Sequence, residues 1–134
     1  MDPCLQFYHL LKHVTCNTEH EISKALKDSS ITLQQAMILL HIEEGARTMS
    51  ELSYAMCCSH GNVTQLTEHL LAKKLITQFP CKEDRRVQHV KLTASGSKIL
   101  ITIAESLEKR AHACLKNLDA SERKKVTALL EQCL

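Results

Sequence analysis

Two clusters of side chains in the middle of this sequence have chemistry suited to a polyanion. The first is Ser59, His60, Gly61, Asn62, Thr64 and Gln65, all short or amide-bearing residues. Small polar side chains let a helix sink into the major groove of DNA, and Asn and Gln can bond adenine edges bidentately. A helix N-terminus at this point would also favour a phosphate through its free amides and its dipole. The second cluster is Lys82, Asp84, Arg85 and Arg86. Arginines at the tip of a hairpin are placed to enter a minor groove or to grip its phosphates. The bland alternatives are an ordinary polar helix face and a solvated loop. Against the second stands the cost of clustering arginines with no polyanion to face them.

Two further sets are rich in cysteine and histidine. Cys57 and Cys58 stand at the start of the expected Ser59 helix, where amide dipoles lower a thiol pKa, and Cys81 lies in the expected hairpin. Oxidation of any of the three would act on the reading head itself, which makes a redox sensor one reading. The other is that Cys58 fills a small apolar position and Cys57 is incidental. His9, His13, Cys16 and His20 recur at helical spacing. At 100° per residue they fall at about 0°, 40°, −20° and 20°, opposite an apolar stripe centred near about 180°. Such a column could hold zinc, copper or haem. One straight helix presents only two such ligands well to a single ion, so a full site needs residues from elsewhere, with His112 and Cys114 as candidates. No cofactor is otherwise required.

These residues need elements to position them. Asp2-Pro3 opens a first helix with Phe7, Leu11, Val14, Thr18, Ile22 and Ala25 on one stripe, ending near Asp28. Thr32 to Gln35 is a capping box, starting a second helix with Leu33, Ala36, Met37 and Leu40 on its apolar face and Gly45 as its C-terminal stop. Thr48 to Glu51 caps a short third helix carrying Leu52, Ala55 and Met56. Ser59 caps a fourth with Val63, Leu66 and Leu70 inward. Leu75–Phe79 and Val87–Leu92 are short strand-like runs around a polar connection, a β-hairpin and the only expected sheet. Thr93 caps a long fifth helix burying Ile99, Leu100, Ile103, Leu107, Ala111 and Cys114. Asp119 to Glu122 caps a sixth with Val126, Leu129, Leu130 and Cys133. The order α-α-α-α-β-β-α-α, with no repeat or linker, predicts one mainly α domain with a small β-hairpin wing, a winged helix-turn-helix.

The motifs along this order resemble the MarR family of winged helix-turn-helix transcriptional regulators. The likeness runs through Glu51-Leu52-Ser53 to Met56, Ser59 to Leu66, Leu70, Leu75-Ile76, the wing motif Asp84-Arg85-Arg86, then Val90 to Thr93 and Gly96. It covers roughly residues 30–100, and the Asp-x-Arg wing followed by Leu-Thr-x-x-Gly is its more specific part. The resemblance implies a homodimer on a pseudo-palindromic DNA operator, a repressor by role, released by a small-molecule effector or by thiol oxidation. It implies that Asp84 orients wing arginines and Arg86 enters the minor groove. Residues 1–134 then form a single domain, with 1–30 and 95–134 as dimerisation helices around a DNA-binding core at 31–94. Cys57 and Lys74 depart from the family pattern, which often has glycine at the first place and usually at the second, for positive backbone dihedrals. Cys4 and Cys133 lie at the two ends, which meet at the dimer interface in this family.

Composition agrees with this reading. Only three glycines, two prolines and 3% aromatics in 134 residues favour a helical chain. With no Trp and few other aromatics, base stacking of the single-strand-binding kind is disfavoured. The net charge is +2, but residues 59–93 hold six basic and three acidic side chains, so the basic excess is concentrated there. No apolar run is long enough for a membrane span and no signal-type segment follows Met1, so a bacterial or archaeal cytosol is expected, with the seven cysteines reduced. Ile101, Ala104 and Leu115 lie off the fifth helix's main stripe, and a helix apolar on more than one face needs two partners. That supports a dimer through the first, fifth and sixth helices, with recognition helices about 34 Å apart. Two rivals are weak. A winged-helix protein-interaction module without DNA binding would show a neutral or acidic wing. An enzyme would show a phosphate loop, an activated nucleophile or a carboxylate pair, and none is found.

Overall fold

The computed structural model describes all 134 residues. Six helices and three strands follow in the order α1 (Pro3–Ala25), α2 (Leu33–His41), β1 (Arg47–Thr48), α3 (Met49–Ala55), α4 (His60–Ala72), β2 (Ile76–Pro80), β3 (Gln88–Leu92), α5 (Ala94–Leu115) and α6 (Ala120–Glu131). None of the helices is long and apolar enough to cross a membrane.

Local capping sets the helix starts. Thr32, Thr48 and Asp119 each accept a hydrogen bond from the backbone N–H three residues on, and the side chain there accepts in return from the cap's own N–H. Ser59 accepts from the Asn62 N–H at 3.3 Å, and Asp2 accepts from the N–H groups of Cys4 and Leu5 with Pro3 following. Thr93 is tied on both sides: its Oγ1 accepts from the Gly96 N–H and donates to the Lys74 carbonyl.

The expected hairpin is β2 and β3, antiparallel from Ile76↔Leu92 to Pro80↔Gln88. A third strand was not foreseen. Arg47 and Thr48 pair with Val90 and His89, which gives the strand order β1-β3-β2. Two residues are too short to show alternation, so no period announces this strand. It places β3 centrally and ties the sheet directly to the N-cap of α3.

One core of 15 residues joins the end of α1 (Ile22, Leu26), α2 (Ala36, Ile38, Leu39), Leu52 of α3, Val63 and Leu70 of α4, the sheet (Ile76, Val90) and α5 (Leu100, Ile103). On α2 the expected face is shifted. Ile38 and Leu39 are fully buried with Ala36, while Leu33, Met37 and Leu40 are only half-buried. This nine-residue helix packs against α1, α3, α4 and α5, so no single face describes it. Gly45 is not the left-handed C′ residue expected. α2 ends at His41 with Ile42 as its cap, and no glycine in the chain has a positive φ.

Larger differences lie at the two ends of the chain. Ala111 and Cys114 of α5, expected to be buried, are exposed. In α6 no residue is buried, and Leu129 is 53% exposed. On α1, Phe7, Leu11 and Val14 are exposed, and only Ile22 of the stripe is buried. The helical period is right at each place, but nothing within one chain covers these faces.

Candidate nucleic-acid interface

Helices α3 and α4 are joined by the turn Met56–Ser59. Cys57 sits there with φ 50°, in the left-handed region, and Lys74 after α4 has φ 58°. Both positions demand the backbone that glycine adopts at least cost. In the turn the Ser53 hydroxyl donates to the Cys58 carbonyl at 2.6 Å. Cys58 is half-buried against the core and Cys57 is exposed.

The two sides of α4 are sharply different. Val63, Thr67 and Leu70 are buried, whereas His60, Gly61, Asn62, Thr64 and Gln65, together with the cap Ser59, are exposed. The Thr64 hydroxyl donates to the His60 carbonyl at 2.9 Å, which leaves its lone pairs free to accept. A Cβ built on Gly61 would meet nothing nearer than the Ser59 hydroxyl at 3.9 Å, so the first turn of α4 presents bare backbone.

The wing tip is a closed loop. Cys81 N–H donates to the Val87 carbonyl and Val87 N–H to the Asp84 carbonyl, at 2.8 and 3.0 Å. Within it Asp84 holds Arg86 three times over. The Arg86 backbone N–H and Nε both donate to Oδ1, at 3.0 and 3.1 Å, and Nη2 donates to Oδ2 at 3.1 Å. Those bonds from Arg86, side chain first and then backbone, hold the Asp84 carboxyl below the usual aspartate range. The Arg86 side chain remains 91% exposed. Lys82 and Arg85 are exposed beside it. A planar guanidinium clamped at one edge by a carboxylate loses rotamer freedom while its other donors face solvent.

The sequence did not show how α4 is braced. Gln35 is buried, and its two amide ends have different tasks: Oε1 accepts from Thr32 N–H at 3.1 Å, and Nε2 lies 3.2 Å from His69 Nδ1 in the last turn of α4. Thr67 is also buried, its hydroxyl within 2.9 Å of the Val63 and Thr64 carbonyls. A polar cleft of about 360 Å³ runs between the start of α2 and α4, lined by Gln34, Asn62, Gln65 and His69 among others. The capping-box pattern at Thr32 and Gln35 was the only trace of this arrangement in the sequence. Tyr54 on α3, 89% exposed, was also missed, since one aromatic on a short helix carries no period.

The remaining candidates are not brought together. All seven cysteines are free; Cys81 is half-buried at the base of the wing, and Cys4 and Cys133 are exposed. His9, His13, Cys16 and His20 are exposed along α1, and nowhere do three or more His, Cys, Asp or Glu side chains converge as a metal site.

Comparison with known proteins agrees with this geometry. Residues 29–87 match the model of the MarR family. The chain is 28% identical over 123 residues to an uncharacterized HTH-type transcriptional regulator, YpoP of Bacillus subtilis (strain 168), covering 91% of this chain and 84% of that one. Its fold is similar to that of a mutant MarR from E. coli complexed with operator DNA, with a TM-score of 0.80 at 24% identity over 98% of this chain and 95% of that one. It is also similar to that of S. aureus MepR in its DNA-binding conformation, with a TM-score of 0.86 at 20% identity over 95% of both chains. With six helices, a winged three-stranded sheet and a match over residues 29–87 that spans the helix-turn-helix and the wing tip, this chain has the winged helix-turn-helix fold and is similar in that segment to the MarR family of transcriptional regulators.

Proposed function

We propose that the protein is a sequence-specific DNA-binding regulator, acting as a homodimeric repressor on a pseudo-palindromic operator. The observation that carries this reading is the Asp84–Arg86 clamp, an exposed guanidinium already oriented at a wing tip. In this reading α4 enters the major groove. Ser59 and the N–H groups of its first turn grip a phosphate, while Asn62, Thr64 and Gln65 reach base edges and His60 and Gly61 allow close approach. Arg86 enters the neighbouring minor groove, and Lys82 and Arg85 contact its phosphates.

The dimer reading draws on the uncovered apolar side chains at both ends of the chain. Phe7, Leu11 and Val14 of α1 and Val126, Leu129 and Leu130 of α6 are all more than a third exposed. Apolar faces left uncovered within one chain mark an interface. Replacing Leu129 and Leu130 together by Glu should convert a dimer to a monomer in light scattering. A wild-type chain that is monomeric at micromolar concentration would remove this part of the proposal.

Release from the operator is assigned to a small-molecule effector or to oxidation at the reading head. Cys57 supports the second route, since it is exposed and lies in the turn that sets the angle of α4. The test is a fluorescence-anisotropy titration against DNA from upstream of the protein's own gene, with reduced and with peroxide-treated protein. Selective binding lost on oxidation, restored by thiol and made insensitive by Cys57→Ser, Cys58→Ser or Cys81→Ser establishes the thiol route. Selective binding indifferent to oxidation leaves the small-molecule route. No selective binding in either state refutes the DNA-binding reading.

A further inference from the structure

The outer face of α1 carries four metal-ligating side chains that the DNA-binding reading does not use. His9, His13, Cys16 and His20 lie within about 60° of arc at 100° per residue, and all four are exposed. We propose that this face binds divalent transition-metal ions of the zinc class through two chelating pairs, His9 with His13 and Cys16 with His20.

The spacing does the chemical work. Residues four apart on a helix have Cβ atoms about 5–6 Å apart, which lets two imidazoles, or an imidazole and a thiolate, meet one ion. Metalloprotease helices use the same separation for their two zinc histidines. The midpoints of the two pairs are seven residues apart, or about 10 Å along the axis, too far for one ion bound at about 2.0–2.3 Å from its ligands. The face is therefore two half-sites. No third His, Cys, Asp or Glu side chain converges on either pair, so each offers an ion two protein ligands. Water completes each coordination sphere.

Two neighbouring groups bear on the first pair, in opposite directions. The Tyr8 ring meets His9 edge-on with centroids 5.8 Å apart, which restricts that imidazole. The Lys12 ammonium lies 6.0 Å from the centroid of the same Tyr8 ring. At the second pair Cys16 binds as thiolate, so loading releases its proton to solvent and weakens with acid. Each ion clips one helical turn in a part of α1 whose opposite stripe is uncovered within the chain. Metal and a partner copy would thus occupy opposite sides of the helix, and neither requires the other.

Cobalt(II) titration of the reduced, metal-free protein tests the proposal, read by visible d–d bands and a near-ultraviolet thiolate-to-cobalt band. The wild type is expected to take up one ion per pair, displaced by zinc. His9→Ala with His13→Ala should remove one equivalent and keep the thiolate band. Cys16→Ser with His20→Ala should remove the other equivalent and the band, each with apparent affinity at the altered pair falling at least about tenfold. Helix content by circular dichroism confirms that the variants fold. If the quadruple variant binds cobalt with wild-type stoichiometry and spectrum, the ions sit elsewhere, and the proposal is overturned; so too if the wild type binds none. Loss confined to one pair overturns the other half-site. DNA titration of the same variants is a separate readout, so failure here leaves the regulator reading standing.

Discussion

Gly96, in the first turn of α5, is buried against Leu75, in the connection between α4 and β2, and against Leu92 of β3. A Cβ at this position would collide with the Leu75 carbonyl oxygen, with the Leu75 carbonyl carbon at 3.1 Å and with Leu92 Cδ2 at 3.0 Å. Leu92 can rotate away, but the Leu75 carbonyl is fixed, because it accepts the Thr93 N–H at 3.1 Å while Thr93 Oγ1 donates to the Lys74 carbonyl at 2.8 Å. Gly96→Ala must therefore push α5 away from Lys74–Leu75 and stretch both bonds. Overpacking of this kind costs about 1–3 kcal/mol, and loss of one hydrogen bond adds about 1 kcal/mol. The better helix propensity of alanine returns at most about 1 kcal/mol, so the net is a loss of about 1–3 kcal/mol. Urea unfolding of the reduced protein reads this as a lower midpoint at unchanged slope. Gly61→Ala is the matched control. Its Cβ meets only the Ser59 hydroxyl, at an ordinary 3.9 Å, so stability should hold or rise by up to about 1 kcal/mol while DNA affinity falls if backbone approach matters there. A Gly96→Ala protein as stable as the wild type would refute the close-approach reasoning.

Three further outcomes follow from named contacts. Arg86→Ala should weaken binding to every DNA sequence and lower the slope of log affinity against log salt by about 0.9 for each wing that loses this cation from the minor groove, or about 1.8 for a dimer; an unchanged slope with intact affinity would count against the wing assignment. The Glu51 carboxyl is held below its ordinary value of 4.5, chiefly by the Thr48 backbone N–H. A depressed carboxyl contributes stability that is present above its ordinary pKa and is lost as pH falls through the folded value. Glu51→Gln should therefore flatten the loss of stability below about pH 4.5, measured by urea midpoints across an acid series, and an unaltered series would place that loss elsewhere. Lys74 holds a left-handed φ of 58°, so Lys74→Gly should raise stability by up to about 1 kcal/mol, and a lowered urea midpoint would show that the Lys74 side chain contributes more than its backbone costs.

Features fixed by a few adjacent residues were legible before the fold was known. The capping boxes at Thr32, Thr48 and Asp119 and the caps at Ser59 and Thr93 all lie where the sequence places them, because each needs only four consecutive residues. Cys57 and Lys74 were flagged through the resemblance as standing in glycine positions, and both adopt positive φ. What escaped depends on distant partners. Arg47–Thr48 becomes a strand only because β3 lies beside it, and Gln35 meets His69 across 34 residues. Apolar periodicity on α1, α5 and α6 predicted faces correctly but not their covering, since Ala111, Cys114 and Leu129 have no partner within the chain. At the candidate interface the sequence named the exposed residues of α4 and the wing, and it missed the Gln35 brace behind them.

Footprinting on the DNA upstream of the protein's own gene, at physiological salt and under reducing conditions, tests the central claim most directly. A two-fold regulator with α4 in the major groove should protect two inverted half-sites whose centres are one helical turn, about 34 Å, apart, with flanking minor-groove protection that disappears in Arg86→Ala. Diffuse protection that follows protein concentration without a preferred site, or none at all, would contradict it.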